Sequence, residues 1–188
     1  MVQWGPSNNV QDGYEFGGPT WVNNPNPIYA GSDSYQAAFR FTVSDPDAPD
    51  SGDTIDASTE IVIDIDGVTG TPDGLTLFGN AVDDAPVIDA VGNEPSAWTF
   101  TAAGGTIPAS PGTGTETIDA QTPVQDIVSR GGWVAGQDMA FVIWDDGTNS
   151  NTGEFLSIDG ATTVATLEIN WTAAGAGGSI LPHIMAYS

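Results

Sequence analysis

Carboxylates are the one abundant reactive group in this chain, and several sit where hard-cation ligands sit. Asp45, Asp47, Asp50 and Asp53 share one Pro/Gly-containing loop, and Asp64-Ile65-Asp66-Gly67, Asp83-Asp84 and Asp145-Asp146-Gly147 add further oxygen donors. Calcium takes clustered oxygens from flexible loops, so Asp45, Asp47, Asp64 and Asp66 are candidate calcium ligands. No stretch has the spacing of an EF-hand loop, and solvated acidic loops account for the same residues in a chain this acidic. Nucleophilic and acid–base chemistry has less to draw on. Cysteine is absent and the sole histidine, His183, lies in the C-terminal tail. A Ser-His-Asp triad or a histidine metal site would need that tail to fold back. A carboxylate pair about 5–10 Å apart can hydrolyse a glycoside, but among 25 Asp+Glu some pair must approach by chance. The expectation is a protein that is not an enzyme. Sugar recognition remains open, because it uses exposed aromatic faces beside polar groups. Trp98, Trp133 and Trp144 are the candidate platform, although tryptophans at strand positions ordinarily belong to the core.

The elements that must position these residues are mostly strands. Gln36 to Val43 alternates, with Ala37, Phe39, Phe41 and Val43 on one face. Thr59 to Asp66 places Ile61, Ile63 and Ile65 inward, and Ala165, Leu167, Ile169 and Trp171 form a third such face. Met139 to Trp144 is continuously apolar, which predicts a central strand covered on both sides. Shorter strands are expected at Leu75 to Phe78, Ala97 to Thr101, Glu116 to Ile118 and Phe155 to Ile158. One helix interrupts the pattern. Thr122-Pro123-Val124-Gln125 predicts an N-cap, a proline in the first turn and a capping-box glutamine, with Val124, Ile127 and Val128 on one face. Gly131-Gly132 should end it. Many short strands joined by Gly/Pro/Asp turns predict an all-β, jelly-roll-like antiparallel sandwich with one short helix.

Charge narrows the setting. Against 25 Asp+Glu stand two basic residues, Arg40 and Arg130, giving a formal net charge of −23. Such a chain repels itself in dilute buffer. In molar salt the Debye length falls to about 3 Å and the repulsion is screened. Acidic surfaces stripped of lysine are therefore the mark of a protein built for very high salt. A nucleic-acid mimic or an acidic calcium buffer would concentrate its acids, whereas these are spread along the chain. Two arginines cannot neutralise a phosphate backbone, so no nucleic-acid partner is expected. An anionic membrane surface repels the chain, and no apolar run reaches the roughly 20 residues that span a bilayer.

The ends read differently from residues 36–172, the predicted sandwich. Residues 1–35 carry Trp4, Tyr14, Phe16, Trp21, Tyr29 and Tyr35 amid Gly, Pro and Asn, and form an N-terminal arm with a possible first strand. Such an arm either docks on a neighbouring subunit or packs back on its own sandwich. Residues 173–188 are a Gly-rich linker followed by an apolar stretch in which Ile180, Leu181, Ile184, Met185 and Tyr187 form a candidate assembly tail. Met1 to Pro6 has neither a basic n-region nor an apolar h-region. Synthesis in a host cytoplasm without a signal peptide is the expectation.

The run Val124-Gln125-Asp126-Ile127-Val128-Ser129-Arg130-Gly131-Gly132-Trp133 is followed by Gly136-Gln137-Asp138-Met139-Ala140-Phe141-Val142-Ile143, by Ser157-Ile158-Asp159-Gly160 and by Ala165-Thr166-Leu167-Glu168-Ile169. It resembles a β-sandwich module with a VQEIVxRxGW pattern and an S-[FY]-D-G turn before its last strand. That module occurs in extracellular carbohydrate-active and surface proteins and in phage virion proteins. Phe39-Arg40-Phe41 and Thr54-Ile55-Asp56-Ala57-Ser58-Thr59-Glu60-Ile61 resemble its upstream part, so the likeness spans roughly residues 12 to 172. It implies a jelly-roll-like fold and a surface, adhesive or structural role. Ile158 stands where the module has an aromatic, so no ligand role passes to that turn. On the structural reading Asp159 and Gly160 make the turn, while Arg130 and Trp133 anchor the helix end.

Salt adaptation and the missing secretion signal together predict a virion surface protein of a haloarchaeal virus. It would decorate a capsid or build a turret or spike, with itself as a homo-oligomer and the major capsid protein as partners. The alternative is an adhesin module binding host surface glycans.

Overall fold

The computed structural model describes residues 2–4, 12–17, 20–23, 25–31, 35–43, 48–72, 74–89, 92–108, 111–145, 154–158 and 165–175. Its strands in chain order are β1 (Val2–Trp4), β2 (Asp12–Phe16), β3 (Trp21–Asn23), β4 (Ile28–Gly31), β5 (Tyr35–Thr42), β6 (Thr54–Ile55), β7 (Glu60–Thr69), β8 (Leu75–Gly79), β9 (Gly114–Asp119), β10 (Asp138–Asp145), β11 (Phe155–Ile158), β12 (Thr166–Ile169) and β13 (Trp171–Thr172). One helix, α1 (Gln121–Val128), lies between β9 and β10.

The chain is an all-β antiparallel sandwich. One layer runs β3–β2–β5–β10–β8. The other is centred on β7, with β9 along one edge and β11 and β12 end to end along the opposite edge. Beyond these lie β4 and β1. The β4–β5 hairpin pairs Gly31 with Tyr35 and carries the hydrogen bonding from one layer to the other. Among the described residues eleven strands thus form one continuous sheet folded over on itself. On the far side, Leu77 N–H donates to Gly105 O (3.0 Å) and Gly105 N–H donates to Asp119 O (2.7 Å), so β8 and the end of β9 are also bridged. Residues 12–31, assigned to the N-terminal arm from the sequence, supply β2, β3 and β4 of this sheet.

The alternating faces expected from the sequence do meet in one core. Ala37, Phe39 and Phe41 of β5 pack with Ile61, Ile63 and Ile65 of β7, Met139, Phe141 and Ile143 of β10, and Leu167 and Ile169 of β12. Trp171, placed on that last face, falls in the separate β13–β6 pair and is half-buried against the core. Strand β10 is covered on both faces, as its unbroken apolar run requires. Its outer face joins Ala38 and Val142 to Ile88, with Trp21, Phe78, Trp98, Phe100 and Trp144 packed around them. The cover is residues 80–89 and 92–101, and here the expected strand at Ala97 to Thr101 does not form. Pro95–Ala97 is a single 3-10 turn, Trp98 N–H donates to Pro95 O, and Phe100 makes only an isolated bridge to Asn80. The apolar spacing of Trp98 and Phe100 instead plants rings on the sheet beneath. Phe100 stacks on Phe78 and meets Trp144 edge-on, with centroids 5.2 Å apart in each case.

The two arginines both pin this covering segment. Arg40 Nε donates to Ala85 O (2.7 Å), and its guanidinium pairs with the Asp138 carboxylate, which also accepts from the Thr42 hydroxyl. Arg130 Nε donates to Asp83 Oδ1 at 2.6 Å. Gly132 leaves room for that pair, since a Cβ there would lie 2.0 Å from Asp83 Oδ2.

Helix α1 buries Pro123, Val124, Ile127 and Val128, but its expected capping box is absent. The helix starts one residue before Thr122, and Asp119 Oδ1 accepts from the first helical N–H, that of Gln121 (2.8 Å). Gln125 is employed elsewhere. Its Oε1 accepts from Ile55 N–H (2.8 Å) and its Nε2 donates to Asp53 O (3.1 Å), while Gln121 Nε2 donates to Ile55 O (3.0 Å). Two glutamines therefore satisfy the backbone of β6 as a neighbouring strand would.

Candidate binding surface

The tryptophans proposed as a glycan platform do not form one. Trp133 is 1% exposed, its Nε1–H donating to Pro49 O at 3.0 Å. It anchors the end of α1 together with Arg130, and its ring belongs to the inner core. Trp98 and Trp144 are half-buried on the outer side of the β3–β2–β5–β10–β8 layer, in the cluster around Ala38, Ile88 and Val142. Trp98 donates its Nε1–H to Asn93 O (2.9 Å). These two are brought together by packing, with Phe100 between the sheet and its cover.

Of the four candidate calcium ligands the structure places two. Asp64 and Asp66 occupy alternate outward positions on β7, Asp64 half-buried and Asp66 exposed. Asp45 and Asp47 lie outside the described residues. Among the described residues no three His, Cys, Asp or Glu side chains converge as a metal site requires. The tail residues Ile180, Leu181, Ile184, Met185 and Tyr187, and His183, also lie outside the described residues.

An aromatic corner is the feature that single-strand periodicity could not disclose. Tyr14 and Phe16 of β2, Tyr29 of β4, Tyr35 of β5 and Phe155 of β11 converge, with neighbouring ring centroids 4.8–5.7 Å apart. Strand pairing explains the convergence. Phe155 is opposite Gly31, Gly31 opposite Tyr35, and Tyr35 opposite Phe16, so one rung of the sheet carries three of the rings. Four of the five rings are half-buried and Phe16 is 46% exposed. Burial, and then the neighbouring Tyr35 and Tyr29, push the Tyr14 phenol above its ordinary range. Aromatic pairs at such distances add about 0.5–1.5 kcal/mol each beyond area burial, so the ring contacts help to hold this corner together. Two of its rings come from the stretch 16–32, which contains no carboxylate.

Gly31 makes the corner possible. A Cβ there would sit 2.3 Å from Glu154 O and 2.5 Å from Phe155 Cα, both backbone atoms. Gly31→Ala is expected to displace β11 and to destabilise the chain by about 1–3 kcal/mol, the usual range for overpacking. Chemical denaturation in molar KCl measures it, and an unchanged midpoint would show that β11 moves freely.

Beneath the corner lies a buried acid. Asp12 pairs opposite Phe39 and Tyr14 opposite Ala37, so both side chains take the core side of β2. Asp12 is 2% exposed and its Oδ1 has no hydrogen-bond partner. Glu15, on the other face, is buried too, but its carboxylate accepts from Ser96 N–H (2.8 Å) and from the Ser96 hydroxyl. Desolvation raises the Asp12 pKa from 3.8 to about 6, against a smaller opposing effect of a hydrogen bond from its own backbone. A raised carboxyl costs stability when ionised, so the penalty is full above pH 6 and fades as pH falls from about 6 towards 3.8. Asp12→Asn should therefore stabilise the chain at pH 8 by about 1–2 kcal/mol and leave it unchanged at pH 4. A pH-independent difference between variant and parent in denaturant titrations would refute the buried-acid assignment.

No protein-family model, curated protein or solved structure matches this chain.

Proposed function

We propose that the chain is a non-enzymatic structural protein of a particle surface working in molar salt. The particle best suited to it is a haloarchaeal virion, with this chain as a self-associating capsid decoration, turret or spike subunit seated on the major capsid protein. The observation that carries the assembly reading is the aromatic corner. A cluster of five rings, with Phe16 46% exposed, is equipment for contact with another surface. A net charge of −23 keeps the rest of the molecule apart from its copies unless salt is high. The VQxIVxRxGW and SxDG residues, with their likeness to a module of surface and phage virion proteins, support the same reading. No helix among the described residues is long and apolar enough to cross a membrane.

Light scattering of the full chain in 3 M KCl tests the proposal. A mass that is a small multiple of 19.3 kDa is the expected result. A 19.3-kDa species at every concentration would sink the assembly reading.

A second reading, a glycan-binding adhesin module, draws on the three tyrosine hydroxyls of the same corner rather than on Trp98, Trp133 and Trp144. Isothermal titration with neutral and sulfated polysaccharides checks it. Heat that survives Phe16→Ser would place any sugar site elsewhere.

A further inference from the structure

We infer that the aromatic corner is the receptor for the apolar tail, Ile180–Tyr187, of a second copy of this chain. The inference rests on the assembly reading and names the two surfaces that would meet. Its premise is where the chain leaves the sandwich. Ala174 N–H donates to Asp53 Oδ1 (2.7 Å), and Asp56 N–H donates to Asn170 O (2.8 Å), so residues 170–175 run beside the residues that lead into Glu60. The corner lies at the other end of β7, where Phe155 pairs with Thr69. Between those ends stands the whole of β7, 10 residues long and therefore about 30 Å.

Reach limits what the chain's own tail can do at the corner. Ile180 is five residues beyond Gly175, which a fully extended chain spans in about 17 Å. The start of the apolar stretch therefore falls well short of its own corner, and only its last residues, Ile184 to Tyr187, come within reach of it. On a second copy the geometry is free of that limit, and the contact is head to tail, joining the Glu60 end of one sandwich to the Thr69 end of the next. Charge favours the same pair of surfaces. None of the 25 acids falls in residues 169–188, and none falls in 16–32, which supplies Phe16 and Tyr29. An acid-free tail adds no repulsion of its own at the corner, where Glu154 directly precedes Phe155. The chemistry is also complementary, since Ile180, Leu181, Ile184 and Met185 are flexible aliphatic and thioether groups that pack well on aromatic edges and faces.

Complementation between two disabled chains tests this. One is Phe16→Asp in the full chain, which keeps its tail and loses its corner. The other ends at Gly175, keeping every described residue and the Ala174–Asp53 contact but lacking the tail. In 3 M KCl each alone should be monomeric by light scattering, and an equimolar mixture should form a 1:1 complex. A Phe16→Leu chain should self-associate within about threefold of the parent, showing that an apolar group and not the fold is at issue. Circular dichroism confirms that both disabled chains are folded. No complex on mixing overturns the inference, as does a Phe16→Asp chain that still self-associates like the parent. If the parent self-associates in either case, the assembly reading stands without this docking. If the parent is a monomer and the mixture stays apart, both fall. Polysaccharide binding at an intact corner, with no complex on mixing, overturns the docking in favour of the adhesin reading.

Discussion

Arg40→Met is expected to destabilise the chain by about 2–4 kcal/mol in 3 M KCl, the largest effect of any single substitution outside the core. Arg40 and Asp138 are largely buried, with side chains 12% and 16% exposed. Removing one partner of such a pair leaves the other charge uncompensated in a poor solvent, which typically costs 3–5 kcal/mol when burial is complete. The same side chain also holds Ala85 O, so the loss extends to the segment that covers the outer face of β5 and β10. Arg130→Met provides the contrast. Its pair with Asp83 is 38% and 41% exposed, and a pair of that kind is worth about 1 kcal/mol or less. Denaturant midpoints give both numbers. Tryptophan emission gives the location, because Trp98 of the covering segment packs in one cluster with Trp21 and Trp144 of the sheet. A red shift with Arg40→Met and little with Arg130→Met is expected. Equal effects from the two arginines would mean that the covering segment is held by its apolar contacts alone.

Much of the fold was legible in the sequence because strand alternation is a local property. The inward sets of β5, β7 and β12 could be read one strand at a time, and the unbroken run of β10 correctly implied cover on both faces. What stayed hidden depends on pairing between distant strands. Tyr14, Phe16, Tyr29 and Tyr35 stand out in the sequence only as aromatics of the N-terminal stretch, and the rung Phe155–Gly31–Tyr35–Phe16, which carries three of the five rings, cannot be read from any one segment. Residues 12–31 read as an arm because Gly, Pro and Asn depress strand propensity, yet pairing with β5 and β11 overrides that preference. Ala97 to Thr101 misled in the opposite direction. Its alternating aromatics look like a strand, but Pro95 favours a turn, and the rings are planted on the sheet from outside it. The capping box failed because Gln125 is matched to the backbone of β6, 70 residues away in sequence.

Dilution of salt should unfold this chain completely, and the sheet itself holds one place where like charges face one another. Glu168 of β12 lies directly opposite Glu60 of β7, which lies directly opposite Asp119 of β9. Three carboxylates therefore share one rung of the layer centred on β7. Burial, and then the charge of Glu168, hold the Glu60 carboxyl above its usual range. Like charges directly opposite in an antiparallel pair cost a few tenths to about 1 kcal/mol, and a net charge of −23 multiplies such costs over the whole surface. Shortening the Debye length from about 10 Å at 0.1 M to about 3 Å at 1 M screens the long-range part of that sum. Circular dichroism during dialysis should show loss of the β signal below roughly 0.5 M salt. Glu60→Gln should move that midpoint to lower salt, and the gain should shrink as salt rises. Because the Glu60 pKa is raised, its penalty is present at neutral pH and is relieved as pH falls through the folded-state value, so the benefit of Glu60→Gln should vanish in mild acid. A chain that keeps its structure in dilute buffer, or a Glu60→Gln variant whose midpoint is unmoved, would remove the physical ground for a molar-salt habitat and with it the haloarchaeal part of the proposal.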